Sequence, residues 1–154
     1  MRQMLKKINI YCDGACLSNP GAGGYCSILT YNNREKIISG GAVQTTNNRM
    51  ELLGVINGIE ALAEKCEITV YTDSKYVVDG IEKGWAENWR KNNWIKPSDK
   101  KPALNADLWE QLLDAISGHS VKFIWIKGHN GHEYNERCDK IARETALEHQ
   151  NRKI

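Results

Sequence analysis

Two stretches of the chain carry the same chemical outline. Residues 8–14 read INIYCDG and residues 68–74 read ITVYTDS: an apolar alternation, a Tyr, and two residues later an Asp followed by a small residue. The alternation is the period-two signature of a strand, so Asp13 and Asp73 each sit where a strand is expected to stop. If the strands run parallel, their carboxyl ends lie side by side, where open sheets with parallel strands place their ligands. Two carboxylates a few Å apart repel, and a divalent cation reverses the sign of that interaction. Two further acids could complete the group. Glu51 falls early in an expected helix, beside its apolar stripe, and Asp139 flanks the Cys138/Ala142 face of an expected C-terminal helix. Hard oxygen donors without a thiolate or imidazole cluster suit Mg²⁺ or Mn²⁺ rather than zinc. A pair of such ions activates water on one side of a phosphodiester and stabilises the leaving oxygen on the other.

Each acid also has a local reading. Asp13 could shape a turn and Asp73 could cap the helix after it. Glu51, three residues after Asn48, has the spacing of a capping box, and Asp139 and Arg143 have the spacing of a helical ion pair.

The elements that must position these acids follow from pattern. Ile8, Ile10 and Cys12 define a first strand ended by Asp13-Gly14. GYCSILTYN and EKIISGGAV read as two more strands joined at Asn32-Asn33, with SNPGAGG before them as a loop. From Asn48, Leu52, Ile56, Ile59 and Ala63 recur at helical spacing. The second Asp-ending strand follows, then helices over SKYVVDGIEK and, opened by Asn105, NADLWEQLLDAIS. VKFIWIK is a further strand, GHNGHE a loop, and a last helix runs from Tyr134. Three antiparallel strands followed by strands joined through helices imply a mixed five-stranded sheet flanked by helices, of α/β (mixed α+β) class.

At 154 residues the chain suits one domain with a substantial core. Net charge is only +2, so attraction for a polyanion must come from clustering. Segment 83–101, KGWAENWRKNNWIKPSDKK, is such a cluster, with Trp85, Trp89 and Trp94 among its lysines and Arg90. Its alternative is a solvated basic surface, and Trp85 and Trp89, one helical turn apart, could instead form a core stripe. Trp109 and Trp125 are assigned to the core. The 5 cysteines are odd in number and form no C-x-x-C pair, which speaks against disulfides or a zinc ribbon and for reduced thiols. No apolar run approaches the roughly 20 residues of a membrane span, and MRQMLKKINI lacks a signal-peptide core, so a cytoplasmic, membrane-free protein is expected.

The stretches YCDGACLSNPGAGG, TTNNRMEL, YTDSKYV, KKPALNADLW and WIKGHNGHEYNERCDKIA, in that order, resemble type 1 ribonuclease H of the bacterial, single-domain kind (bacterial ribonuclease HI). The resemblance runs from about Ile8 to Ala146. It implies a ribonuclease H-like fold and endonucleolytic cleavage of the RNA strand of RNA/DNA hybrids, leaving 5′-phosphate and 3′-hydroxyl ends. It maps the metal-binding acids onto Asp13, Glu51, Asp73 and Asp139, with two ions when substrate is bound. The family's mobile-loop histidine falls on His129, for proton transfer or product release; Gly128 and Gly131 suit that role, since they make the loop pliable. A zinc site with His132 lacks further ligands. Cys16, Asn19, Asn47, Asn48 and Lys75 fall at hybrid minor-groove positions, where amides both donate to and accept from ribose hydroxyls. Thr46 and Asn105 fall at the pocket for a DNA-strand phosphate, and Trp85 at the DNA-facing aromatic position of a basic protrusion. A monomeric, single catalytic domain over residues 1–154, without a separate hybrid-binding domain, is expected.

Departures from the family pattern are Lys75 where Gln is common, Ala15 where Ser is common, and a spacing from Gly80 to Trp89 that is one residue longer. Two rivals remain. Phosphatases and proofreading exonucleases also begin with a strand-end Asp, but need an acid two residues on, where this chain has Ala15. A module that binds hybrids without cutting them is the other.

Overall fold

The computed structural model describes residues 4–127 and 132–152. Their order is β1 (Lys6–Cys16), β2 (Gly21–Tyr31), β3 (Arg34–Thr45), α1 (Asn47–Glu60), β4 (Cys66–Thr72), α2 (Lys75–Glu82), α3 (Trp85–Lys91), α4 (Ala106–Ser117), β5 (Ser120–Trp125) and α5 (Glu133–Asn151). Among the described residues the strands form one five-stranded sheet of order β3-β2-β1-β4-β5. β1 pairs antiparallel with β2, which pairs antiparallel with β3. β4 lies parallel to β1 and β5 parallel to β4, because helices return the chain each time. The mixed sheet expected from the sequence is present.

The sheet separates two apolar layers. Ile8, Ile10 and Cys12 of β1 join Leu52, Val55, Ile56 and Ile59 of α1, Ile68 and Val70 of β4, Val77 of α2 and Trp109 and Leu112 of α4. On the other face Cys26 and Ile28 of β2 pack with Cys138 and Ala142 of α5, alongside Tyr11 and Tyr134. Both helix layers approach the strands closely, and glycine permits it. A Cβ on Gly14 would stand 2.6 Å from the Glu51 amide nitrogen, and one on Gly24 would overlap the Ala142 carbonyl. Those two approaches bring α1 and α5 down onto the end of β1 that carries Asp13.

Several local expectations change. β1 continues through Asp13 and Gly14 to Cys16, because Asp13 to Cys16 keep antiparallel partners Cys26 to Gly23 on β2; Asp13 is a strand residue rather than a turn former. The glycines of the expected SNPGAGG loop already belong to β2. α1 starts one residue earlier than expected, with Thr46 as its cap: the Thr46 hydroxyl accepts from the Arg49 N–H, so Asn48 and Glu51 form no capping box. Ser74, not Asp73, caps α2, its hydroxyl accepting from the Val77 N–H. Asn105 precedes α4 in a left-handed backbone conformation, and its side chain makes no cap bond.

Candidate active site

The register explains how the two aspartates meet. β1 and β4 pair as Ile8 with Ile68, Ile10 with Val70 and Tyr11 with Tyr71, so Asp13 and Asp73 each lie two residues beyond the last paired tyrosine. α1 then lays Glu51 across the end of β1. Carboxylate oxygens of Asp13, Glu51 and Asp73 all lie within 4.8 Å of one another. Asp139 of α5 lines the same cleft, of about 430 Å³, together with Gly14, Asn47, Asn48, Ser74, Lys75 and Tyr76. Asp139 stands apart from the tight trio and accepts from Arg143 Nε at 3.0 Å, so its local ion pair is real and coexists with its place in the cleft.

Burial sets the electrostatics. Asp13 and Glu51 are 8% and 4% exposed. The Gly14 N–H donates to both Asp13 Oδ1 (2.9 Å) and Glu51 Oε1 (3.0 Å). That single donor does not offset the desolvation of two anions. Burial, then the neighbouring Asp73 charge, pushes the Asp13 carboxyl up to about 7, with Asp139 adding to the rise. Glu51 is raised well above its ordinary range, first by burial and then by the charges of Asp13 and Asp73. Glu51 Oε2 is buried without a hydrogen-bond partner among the described residues. An orphaned oxygen on a carboxylate crowded by two others is what a hard cation would satisfy, so the donor set fits Mg²⁺ or Mn²⁺.

Of the other expected site residues, Asn47, Asn48 and Lys75 line this cleft. Asn19 Oδ1 accepts from the Asn47 N–H at 3.1 Å, tying the β1–β2 loop to the start of α1, where Asn47 and Asn48 line the cleft. Cys16 is half-buried, its thiol donating to the Ser18 carbonyl at 2.9 Å. Thr46 and Asn105 come together through Arg49, whose N–H the Thr46 hydroxyl accepts and whose guanidinium donates to Asn105 Oδ1 (3.3 Å) and, through both terminal nitrogens, to Asp107. Trp85 is 40% exposed, while Trp89 packs against the core at 6.2 Å from the Trp109 ring, so the two do not form one core stripe. His129 lies outside the described residues.

Trp125 corrects an expectation. It is 43% exposed, not core, because β5 ends there beside Asp73 rather than under a helix. Its indole N–H donates to the Asp73 carbonyl at 3.0 Å, and the Lys75 ammonium stands 4.8 Å from its ring centroid. Sequence reasoning also missed Arg49 and the double acceptor pair on Gly14. Both sit inside the motifs TTNNRMEL and YCDG, which are the signal that could have found them.

The sheet order β3-β2-β1-β4-β5, with carboxylates gathered at the ends of its parallel strands, is an architecture suited to metal-assisted hydrolysis. The family model described as RNase H matches residues 5–147, and the chain belongs to the ribonuclease H family. A Ribonuclease H of Rippkaea orientalis is 55% identical over 142 residues, covering 92% of this chain and 86% of that protein. The solved structure of LC9-RNase H1, described as a type 1 RNase H with the type 2 active-site motif, superposes with a TM-score of 0.85 at 28% identity, covering 97% of this chain and 76% of that one. LC11-RNase H1, solved in complex with an RNA/DNA hybrid, shares the fold at a TM-score of 0.71 and 20% identity, covering 92% of this chain and 97% of that one.

Proposed function

We propose that this chain cuts the RNA strand of RNA/DNA hybrids internally, with Asp13, Glu51, Asp73 and Asp139 as the acids that hold Mg²⁺, or Mn²⁺, as a pair of ions at the scissile phosphate. The observation that carries the reading is the crowding of Asp13, Glu51 and Asp73 within 4.8 Å around a buried, unpartnered Glu51 Oε2. When bound, the ions supply charge neutralisation and a lowered water pKa, the chemistry that in-line hydrolysis to 5′-phosphate and 3′-hydroxyl ends requires.

The chain's own residues do the rest. The Gly14 N–H holds one oxygen each of Asp13 and Glu51, so the two carboxylates at the cleft are oriented before an ion arrives. Asn47 and Asn48 on the cleft wall, with Asn19 and Cys16 behind them, present short polar groups to ribose hydroxyls, which DNA lacks. Thr46 and Asn105, joined by Arg49, form the seat for a DNA-strand phosphate. Trp85 and the basic segment after it lie over deoxyribose and phosphates. His129 moves a proton or releases product. We assign residues 1–154 to a single catalytic domain acting as a monomer in the cytoplasm; among the described residues no helix is long and apolar enough to cross a membrane.

The test is incubation with a strand-labelled RNA/DNA hybrid, with and without Mg²⁺, beside RNA and DNA duplexes. Mg²⁺-dependent cutting of the RNA strand in the hybrid alone is expected. Hybrid binding with no cutting under any divalent ion would leave a binding module instead.

A further inference from the structure

Lys75 occupies a position that helix electrostatics disfavours. It is the first residue of α2, where the helix dipole is positive and cations are repelled. It also lines the cleft that holds Asp13, Glu51, Asp73 and Asp139. Its ammonium lies 4.8 Å from the centroid of Trp125, within the range of a cation–π contact. Trp125 is anchored in turn, since its indole N–H donates to the Asp73 main-chain carbonyl at 3.0 Å. One exposed tryptophan therefore touches both the backbone of a proposed metal-binding acid and the cation beside it. Solvent exposure of 43% at the end of β5 is not explained by packing, because the ring contributes little to the core.

We infer that Trp125 is a positioning residue that seats the Lys75 ammonium at the rim of the acidic cleft, and that this fixed cation sets how tightly the cleft holds divalent ions. The inference rests on the metal reading given above. A free lysine at this site would sample many rotamers, and its charge would be spread through solvent; the ring restricts it to one side of the cleft. A unit charge at the rim of a water-rich cleft opposes binding of a dication there by a factor of about three to ten after partial screening. The cleft would thus hold divalent ions less tightly than its four carboxylates alone would.

The experiment is calorimetric titration of the substrate-free protein with Mg²⁺, which reads metal affinity without turnover. Lys75→Gln is expected to tighten Mg²⁺ by about three- to tenfold, and Lys75→Arg to return the wild-type value because the charge and the ring contact are kept. Trp125→Phe keeps a face for the ammonium and is expected to stay within about twofold of wild type. Trp125→Leu is expected to shift affinity in the same direction as Lys75→Gln but less far, and the double substitution to match Lys75→Gln alone, since the tryptophan acts through the lysine. Unchanged affinity in Lys75→Gln, or fully additive effects in the double variant, would overturn the inference. Should Trp125→Leu not fold, the two Lys75 variants and Trp125→Phe still decide it. Asp13→Asn in the same titration separates the two ideas: if it leaves Mg²⁺ binding as it was, the metal assignment itself has failed, whatever Lys75 does.

Discussion

Tyr11 of β1 and Tyr71 of β4 are register partners in the parallel pair, and their rings stack at 4.9 Å with an interplanar angle of 12°. Tyr134 of α5 stacks on the other side of Tyr11 at 4.5 Å. This aromatic column lies one step below the acids and ties together the three elements that carry Asp13, Asp73 and Asp139. Because Asp13 and Asp73 each lie two residues past their tyrosines, the stack fixes the spacing of those two carboxylates before any ion arrives.

Replacing Asp73 by Asn removes one anion from the trio without altering its shape. Hybrid cleavage at saturating substrate is expected to fall by at least about a hundredfold, the scale on which loss of one electrostatic group acts. Far-UV circular dichroism should be unchanged. Wild-type turnover in Asp73→Asn would overturn the assignment of the acids.

Stability without metal should depend on pH in a direction set by the same crowding. Burial raises the folded-state Asp13 carboxyl to about 7 from an ordinary 3.8, and raises Glu51 as well. Between those values the unfolded chain has released protons that the folded protein still binds. The stability that these two groups contribute is therefore full below about pH 4 and is lost as pH rises through about 7. Thermal melts in EDTA should show a lower Tm at pH 8 than at pH 5.5. Asp13→Asn should raise the pH 8 value by about 4–8 °C, corresponding to roughly 2 kcal/mol for a chain of this size. Excess Mg²⁺ should raise the wild-type Tm at pH 8 and have little effect on Asp13→Asn. A wild-type melt independent of pH in EDTA would contradict the crowding.

Much of this arrangement was legible because it rests on local pattern. The two Asp-ending alternations specify strands, and their resemblance in outline anticipates the parallel register that Ile8 with Ile68 and Tyr11 with Tyr71 realise. The apolar period of Leu52, Ile56 and Ile59 places α1, and with it Glu51. What pattern could not show is where a strand continues once its side chains stop alternating. Asp13 to Cys16 stay in β1 through backbone pairing with β2, a long-range relation invisible in a polar, glycine-containing run. Trp125 misled for a related reason: it keeps the phase of buried Phe123, but the strand outlasts the helices that cover it. Thr46 took the capping role from Asn48 because both are good caps, and only the path of β3 into α1 decides between them.

Gly14 should tolerate no side chain. A methyl group there meets the Glu51 amide nitrogen at 2.6 Å and the Met50 carbonyl carbon at 2.8 Å, and both belong to helix backbone that cannot swing aside. Gly14→Ala is expected to destabilise by about 1–3 kcal/mol, the range for overpacking, and to lower cleavage by more than the stability loss accounts for, since α1 carries Glu51 away from Asp13. Chemical denaturation beside steady-state kinetics distinguishes the two effects. A fully active Gly14→Ala would show that the close approach of β1 and α1 is not needed for the site.

Asp107 offers a test of the DNA-phosphate seat. Its carboxylate holds both terminal nitrogens of Arg49, at 3.0 and 2.8 Å, in the two-pronged geometry that guanidinium also uses for phosphate. Asp107 is largely exposed, so breaking the pair should cost under about 1 kcal/mol of stability. Asp107→Asn leaves the Arg49 charge uncompensated beside Thr46 and Asn105. Binding of a hybrid in the absence of divalent ions should therefore tighten, and the slope of log K against log salt should steepen by up to about one unit as Arg49 engages a backbone phosphate. Arg49→Gln should do the reverse, weakening binding and flattening the slope, with or without Asp107. If neither substitution changes the salt slope, the Thr46–Asn105 corner does not receive a phosphate, and Arg49 serves only to join α1 to α4.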